Sequence, residues 1–145
     1  MQKTNNIFKI SLLDGWKDKT IFTFEGPIDS GVQHNIVLVI DDTLESKTDL
    51  QEYVKSQMMV SKEALPGFEM ISEKEKVLGS GIKGYEVVYK YMPKDDQALF
   101  QKQFYTIISD KAYIFTSTFS KETLQTISLD VDTIIGSLTP LNLEE

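Results

Sequence analysis

The hexapeptide GSGIKG at residues 79–84 has the glycine spacing of the fingerprint that holds a dinucleotide pyrophosphate. That chemistry requires the glycines to lead from a strand into a helix, whose first N–H groups face the phosphates. Here YEVVYKYM follows, with the alternation of a strand, so the motif reads as a hairpin turn. His34 is the single histidine, which excludes a multi-imidazole zinc cluster and leaves a Ser-His-Asp relay only this residue to run through. No G-x-S-x-G elbow accompanies it, and it reads as a polar residue at the start of a strand. Asp41, Asp42 and Glu45 offer oxygens to a hard cation, yet the stretch lacks the glycine and closing glutamate of a calcium loop and reads as a solvated turn. With no cysteine, disulfides, cysteine nucleophiles and thiolate metal sites are excluded. The expectation is a protein that is not an enzyme and carries no cofactor.

Two glutamines remain. Gln103 shares a strand face with Leu99, Gln101, Tyr105 and Ile107, while Phe100, Phe104 and Ile108 take the other, so a largely apolar face carries amides. Such an amide either meets water or satisfies a polar atom of something bound against an apolar surface. Gln57 raises the same alternative on the helix described below.

The chain is 145 residues long, enough for one domain spanning 1–145 with a single core. Its formal charge of −7 disfavours nucleic acid and acidic membranes. No segment approaches the roughly 20 apolar residues of a membrane span, and the N-terminus lacks a signal-peptide pattern, so the expected compartment is the cytoplasm, without direct membrane insertion. Period-two alternation predicts strands over 7–12, 20–25, 35–41, 69–78, 85–92, 98–109 and 112–119, with Gly26-Pro27 ending the second. Short turns between the last four predict a meander. Thr48 with Gln51 reads as a capping box opening a helix whose stripe is Leu50, Tyr53, Val54, Met58 and Leu65, stopped by Pro66-Gly67. Leu124, Ile127, Val131, Ile134, Ile135 and Leu138 predict a second helix, which Pro140 ends. The fold class is therefore α+β: an antiparallel β-sheet with two main helices. In the third strand, Ile36 to Ile40 is apolar on both faces. Only one face is needed for a core, which leaves open what covers the other.

The chain resembles the DcrB-like group, with its Mog1/PsbP-like fold, and within it the Eag effector-associated chaperones of type VI secretion. The resemblance is carried by Leu13-Asp14-Gly15-Trp16-Lys17-Asp18-Lys19 with Ile21 and Phe24 after it, by Tyr53-Val54 with Gln57, by Leu65-Pro66-Gly67-Phe68 and by Gln103-Phe104. It runs from about Ile7 to Pro140 in the same order of elements. DcrB itself is an envelope lipoprotein, and the absence of a lipobox cysteine favours the cytoplasmic Eag branch. The resemblance implies a non-enzymatic homodimer that binds and shields the N-terminal transmembrane helices of a type VI secretion effector in a hydrophobic groove before export. Carried over by position, that client-helix groove comprises Ile21, Thr23, Ile36, Leu38, Ile40, Leu65 and Leu99, with Gln57 and Gln103 as polar contacts. Ile36 and Ile40 stand where relatives have small or hydroxylated residues, and Thr23 departs in the polar direction. The alternative is a small-molecule or lipid-binding module of the same fold, in which the apolar strip lines a pocket; a subunit contact would cover the strip as well.

Overall fold

The computed structural model describes residues 8–141. Six strands form one antiparallel sheet: β1 (Ile21–Asp29), β2 (Val32–Asp41), β3 (Glu69–Val77), β4 (Lys83–Lys94), β5 (Gln97–Ile108) and β6 (Lys111–Phe119). Helix α1 (Leu50–Ala64) links β2 to β3, and α2 (Ile127–Gly136) follows β6 after a 3₁₀ turn at Thr123–Gln125. The spatial order is β1-β2-β6-β5-β4-β3. The predicted meander from β3 to β6 is thus continuous, and the β1–β2 hairpin joins it through β6. The glycines of GSGIKG make the β3–β4 turn, where the Gly81 N–H donates to the Leu78 carbonyl (2.8 Å) with Gly81 at φ +91°. No helix follows, so no phosphate cradle exists there.

The helices lie on opposite faces of the sheet. Val131 and Ile135 of α2 pack with Ile36, Phe104, Phe115, Phe119 and Leu78. Tyr53, Val54 and Met58 of α1 pack with Val87, Tyr89, Tyr105 and Ala112. Where α2 runs out of apolar partners, charge takes over. The Lys102 ammonium donates to Ser128 Oγ (2.8 Å) and Asp132 Oδ1 (2.9 Å), Asp132 also meets Lys76 (3.5 Å), and Lys76 meets the buried Glu86 (2.8 Å). Each buried charge therefore has a partner, the condition under which burial is tolerated.

Three local expectations are corrected. The helix begins one residue later than the Thr48/Gln51 box implies. Asp49 is the N-cap and its carboxylate accepts the Glu52 N–H (3.1 Å), whereas the Thr48 hydroxyl donates to the Glu45 carbonyl (2.6 Å). Residues Phe8–Leu12 form no strand, and Ile7 lies outside the described residues. Alternation alone does not make a strand without a neighbouring ladder, and Phe8, Ile10 and Leu12 stay exposed.

Most consequential is Gly26-Pro27, which does not end β1. The hairpin turn at Ser30-Gly31 has both residues at positive φ (53° and 77°) and sets Asp29 opposite Val32 and Ile28 opposite Gln33. Continued unbroken, that register would place Ile21 opposite Ile40 and Thr23 opposite Leu38. A bulge between Glu25 and Ile28 inserts one extra residue, so that Ile21 meets Val39 and Thr23 meets Val37. His34 belongs to this device. It is not an ordinary polar residue at a strand start but lies inside β2, 2% exposed. Its Nδ1 donates to the Pro27 carbonyl (3.0 Å), the Gln33 amide donates to the Gly26 carbonyl (2.7 Å), and His34 Nε2 accepts from the Thr123 hydroxyl (2.8 Å). The bulge is thereby clamped from β2 and tied to the turn that launches α2. Replacing His34 with Ala leaves the Pro27 carbonyl and the Thr123 hydroxyl without their partner and opens a void. The expected loss is about 2–4 kcal/mol of unfolding free energy, read from urea denaturation.

Candidate functional site

Helix α1 lies mainly over β4 and β5, reaching β6 at Ala112 and the end of β2 at Asp41. The rest of that sheet face, across β6, β2 and β1, has no helix above it. One cross-strand row there runs Ile21–Val39–Ile114–Tyr105, and the next runs Thr23–Val37–Thr116–Gln103. Ile21 is 59% and Val39 36% exposed. Where α1 meets this floor, a cleft of about 250 Å³ is lined by Ile21, Val39, Ile114, Tyr53 and the half-buried Gln57.

The floor carries two parallel polar ladders. The Tyr105 hydroxyl donates to Gln103 Oε1 (2.6 Å), and Gln103 Nε2 donates to the Thr116 hydroxyl (3.0 Å). One step along, the Tyr89 hydroxyl donates to Gln101 Oε1, and Gln101 Nε2 donates to Thr118 (3.2 Å). Burial raises the Tyr105 phenol far above its ordinary range and pushes Tyr89 up to about 12, so both stay protonated donors. A primary amide has two N–H groups and two carbonyl lone pairs. Each glutamine therefore keeps one N–H and one lone pair beyond the ladder, and each threonine keeps its O–H, on a surface otherwise largely aliphatic. The arrangement has no nucleophile paired with a base; what it offers is apolar contact with fixed hydrogen-bonding points.

Of the residues grouped from the sequence, Ile21, Thr23, Leu99 and Gln103 share this face, and Gln57 borders it from α1. Leu99 sits farther along β5 opposite Tyr91, and Leu65 follows α1 packed on the α1-side core. Ile36, Leu38 and Ile40 do not join them. They face α2, opposite Ser117, Phe115 and Tyr113, and Ile36 is 3% exposed beneath that helix. The register of β2 on β6 and β5 sets that face, and the β1 bulge sets Ile21 and Thr23 opposite Val39 and Val37 instead, because one inserted residue exchanges the two faces of a strand pair. Val37 and Val39 occupy the positions assigned to Ile36, Leu38 and Ile40. Gln101, Thr116 and Thr118 were also missed. Their signal is the period-two pair QKQ on one strand facing TST on its hairpin partner.

At the mouth of the cleft, the Tyr53 hydroxyl donates to Asp41 Oδ2 (2.7 Å), and Asp41 Oδ1 accepts from the Thr43 hydroxyl (2.6 Å) and N–H (3.0 Å). The Thr43 hydroxyl, foremost, holds the Asp41 carboxyl below the usual range, and Tyr53 and the Lys19 charge add to this against the effect of burial. Burial, and then Asp41, raises Tyr53.

The fold so defined, an antiparallel sheet with one helix on each face, is also that of cyanobacterial PsbP from Synechocystis sp. PCC 6803, which has a TM-score of 0.54 and 15% identity over 81% of this chain and 79% of that one. The chain belongs to the DcrB family, whose sequence profile matches residues 9–137. A Pseudomonas aeruginosa protein, PA94, described as of unknown function and a putative regulator, is similar with a TM-score of 0.75 and 19% identity over 90% of both chains. Mycobacterium tuberculosis LpqN, described as involved in cell envelope biogenesis, has a TM-score of 0.56 and 16% identity over 79% of this chain and 68% of its own. At these identities the likeness shows a shared fold. No curated protein sequence matches.

A carboxyl whose folded-state pKa is depressed stabilises the fold above its ordinary pKa, near 3.9, and loses that contribution as pH falls through the depressed value. Asp41→Asn is therefore expected to lower the urea midpoint at pH 7 relative to wild type, with the gap closing below about pH 4. Tyr53→Phe removes one hydrogen bond to a charge and is expected to cost about 1.5–3 kcal/mol at pH 7 in the same assay.

Proposed function

We propose that this DcrB-family protein is a cytoplasmic chaperone of the Eag type, a homodimer that shields the N-terminal transmembrane helices of a type VI secretion effector before export. No bond is made or broken. The observation that carries the reading is the uncovered half-face beside α1, with Ile21, Val37, Val39 and Ile114 as its apolar floor and the Gln103 and Gln101 ladders as its polar points.

The physical case follows from what a transmembrane helix needs in water. Its apolar side chains gain about 25 cal/mol for each Å² removed from solvent, and this floor supplies such area along one flank of a preformed helix. Transmembrane helices also carry serines, glycines and exposed terminal carbonyls, which an entirely aliphatic groove would leave unpaired. The spare N–H of Gln103 and the spare hydroxyl of Thr116 meet that need at fixed positions, and Gln57 adds a third amide from the wall. The wild-type floor keeps Thr23 among the aliphatic residues, which favours client helices with small polar residues at the matching height.

A second reading has one specific observation in its favour. On the opposite face, a cleft of about 410 Å³ between the β1–β2 hairpin and α2 is lined by Phe24, Ile36, Ile127, Val131 and Ile134. A small apolar molecule or lipid chain fits its lining, and the involvement of LpqN in envelope biogenesis is in keeping with such a ligand. Organic extraction of the purified protein followed by mass spectrometry is expected to yield no stoichiometric lipid if the chaperone reading holds.

The two faces separate in a co-production experiment with an effector segment that contains the hydrophobic helices. Val39→Asp, at an already exposed floor position, is expected to fold normally and to retain the segment at least about tenfold more weakly, because a carboxylate held against a helix without a partner costs more than 1.4 kcal/mol. Ile36→Asp, beneath α2, is expected to unfold the protein outright. Undiminished retention by Val39→Asp would overturn the reading.

A further inference from the structure

We propose that the open floor beside α1 is directional: a client helix lies along the strands, with its apolar body over the Ile21 end and a positively charged flank at the Glu25 end. The inference rests on the chaperone reading for the occupant, and on the composition of the floor, row by row, for the direction.

The rows that cross β1, β2, β6 and β5 change character along the strands. The first, Ile21, Val39, Ile114 and Tyr105, is aliphatic but for one phenol. The second, Thr23, Val37, Thr116 and Gln103, sets one valine among two hydroxyls and an amide. The third is polar throughout. Glu25 stands opposite Asn35, Gln101 opposite Thr118, and Asn35 continues the register of Ile36 on Ser117 towards Thr118. Asn35, Gln101 and Thr118 are half-buried and Glu25 is exposed. Successive rows are two residues apart, about 6.8 Å, so the floor passes from aliphatic to polar within about 14 Å, the length of roughly nine helical residues.

The width of the floor sets the direction of an occupant. From β1 to β6 there are two steps of about 4.8 Å, close to the diameter of one helix, about 10–12 Å, so a helix lies along these strands rather than across them. Helix α1 already lies this way. Tyr53 in its first turn packs edge-on against Tyr105 of the first row (6.2 Å between ring centroids), and Phe68, just past its end, packs on Tyr89, which stands opposite Gln101 of the third (4.9 Å).

A transmembrane helix ends in unpaired backbone groups, and its flanks commonly carry Lys or Arg. The third row has two amides and a hydroxyl for the backbone groups and a carboxylate for the cation. Among the described residues Glu25 has no ion-pair partner. Asp41, the carboxylate beyond the first row, is already engaged by Tyr53 (2.7 Å) and Thr43 (2.6 Å) and feels the Lys19 charge. The last turn of α1 brings Lys62 and Glu63, which cancel in sign, so Glu25 sets the charge of its end.

The probe is a Leu-Ala segment of roughly 20 residues, fused to a soluble carrier, produced together with the full-length chain and flanked at one end by two lysines or by two glutamates. Wild type is expected to retain the lysine-flanked segment about fivefold better than the glutamate-flanked one, and Glu25→Lys to reverse that order. The chain has no cysteine, which makes position readable as well. A cysteine placed beside the two lysines is expected, on mild oxidation, to join Asn35→Cys and not Val39→Cys, because these positions lie about 14 Å apart along β2 and a disulfide spans at most about 7 Å between Cα atoms. Equal retention of the two segments by wild type, an order unchanged in Glu25→Lys, or a cross-link to Val39→Cys as strong as that to Asn35→Cys would overturn the direction and leave the groove reading standing. Retention of neither segment by wild type would overturn both.

Discussion

The architecture depends on one inserted residue. The turn at Ser30-Gly31 and the bulge at Gly26-Pro27 impose opposite parities on the β1–β2 pair, and the bulge decides which parity reaches the far end of the hairpin. Because side chains alternate with a period of two, that choice assigns every residue from Ile21 to Glu25 to its face. Gln33 and His34 clamp the bulge carbonyls, and His34 carries the clamp on to Thr123, whose backbone N–H and hydroxyl are in turn engaged with Ser120. One imidazole thus couples the register of the hairpin to the start of α2, using both of its nitrogens and leaving neither for chemistry.

With parity fixed, the apolar run of β2 divides its two faces unequally. Ile36 goes to the α2 side and is sealed there by Val131 and Ile135. Val37 and Val39 go to the other side, where α1 stops short of them. The position of α1 follows from its aromatic and aliphatic stripe, which finds Val87, Tyr89 and Tyr105 on β4 and β5, and from the Tyr53–Asp41 bond that pins its first turn to the end of β2. The α2 face is therefore sealed over Ile36, Phe104 and Phe115 and stays open beside Phe24, while the α1 face is covered by half. The ion cluster of Lys76, Glu86, Lys102 and Asp132 lies on the α2 face, where geometry and pairing offset its desolvation.

Much of this was legible in the sequence because it is local. The meander from β3 to β6, the stop at Pro66-Gly67 and the apolar stripes of both helices are all set by neighbours within a few residues. The cap of α1 moved by one residue because Asp49 competes with Thr48 for the same N–H groups and a carboxylate suits a helix N-terminus better. That Ile21 and Thr23 accompany Val39 and Val37 rather than Ile36, Leu38 and Ile40 was not legible, since Gly26-Pro27 looks the same in sequence whether it ends a strand or bulges it. Gln103 stood out as an amide on an apolar face, but its bond to Tyr105 could not be read, because two residues on one strand meet at their side-chain tips only when the neighbouring strand leaves them room.

The order of the strands also has a consequence for the time course of folding. Strands β3 to β6 pair with their sequence neighbours, and α1 lies against them, so that part forms from short-range closures. The β1–β2 hairpin is attached to it only through β2 and β6, pairing Ile36 with Ser117 across most of the chain. That closure carries the larger loop entropy and comes late. The same ladder is the first to yield in partial unfolding, so amide exchange in β1 and β2 should outpace that in β4 and β5. The half of the sheet that bears the open floor is then the half with the lowest local stability, able to open and reclose while the meander beneath α1 stays intact.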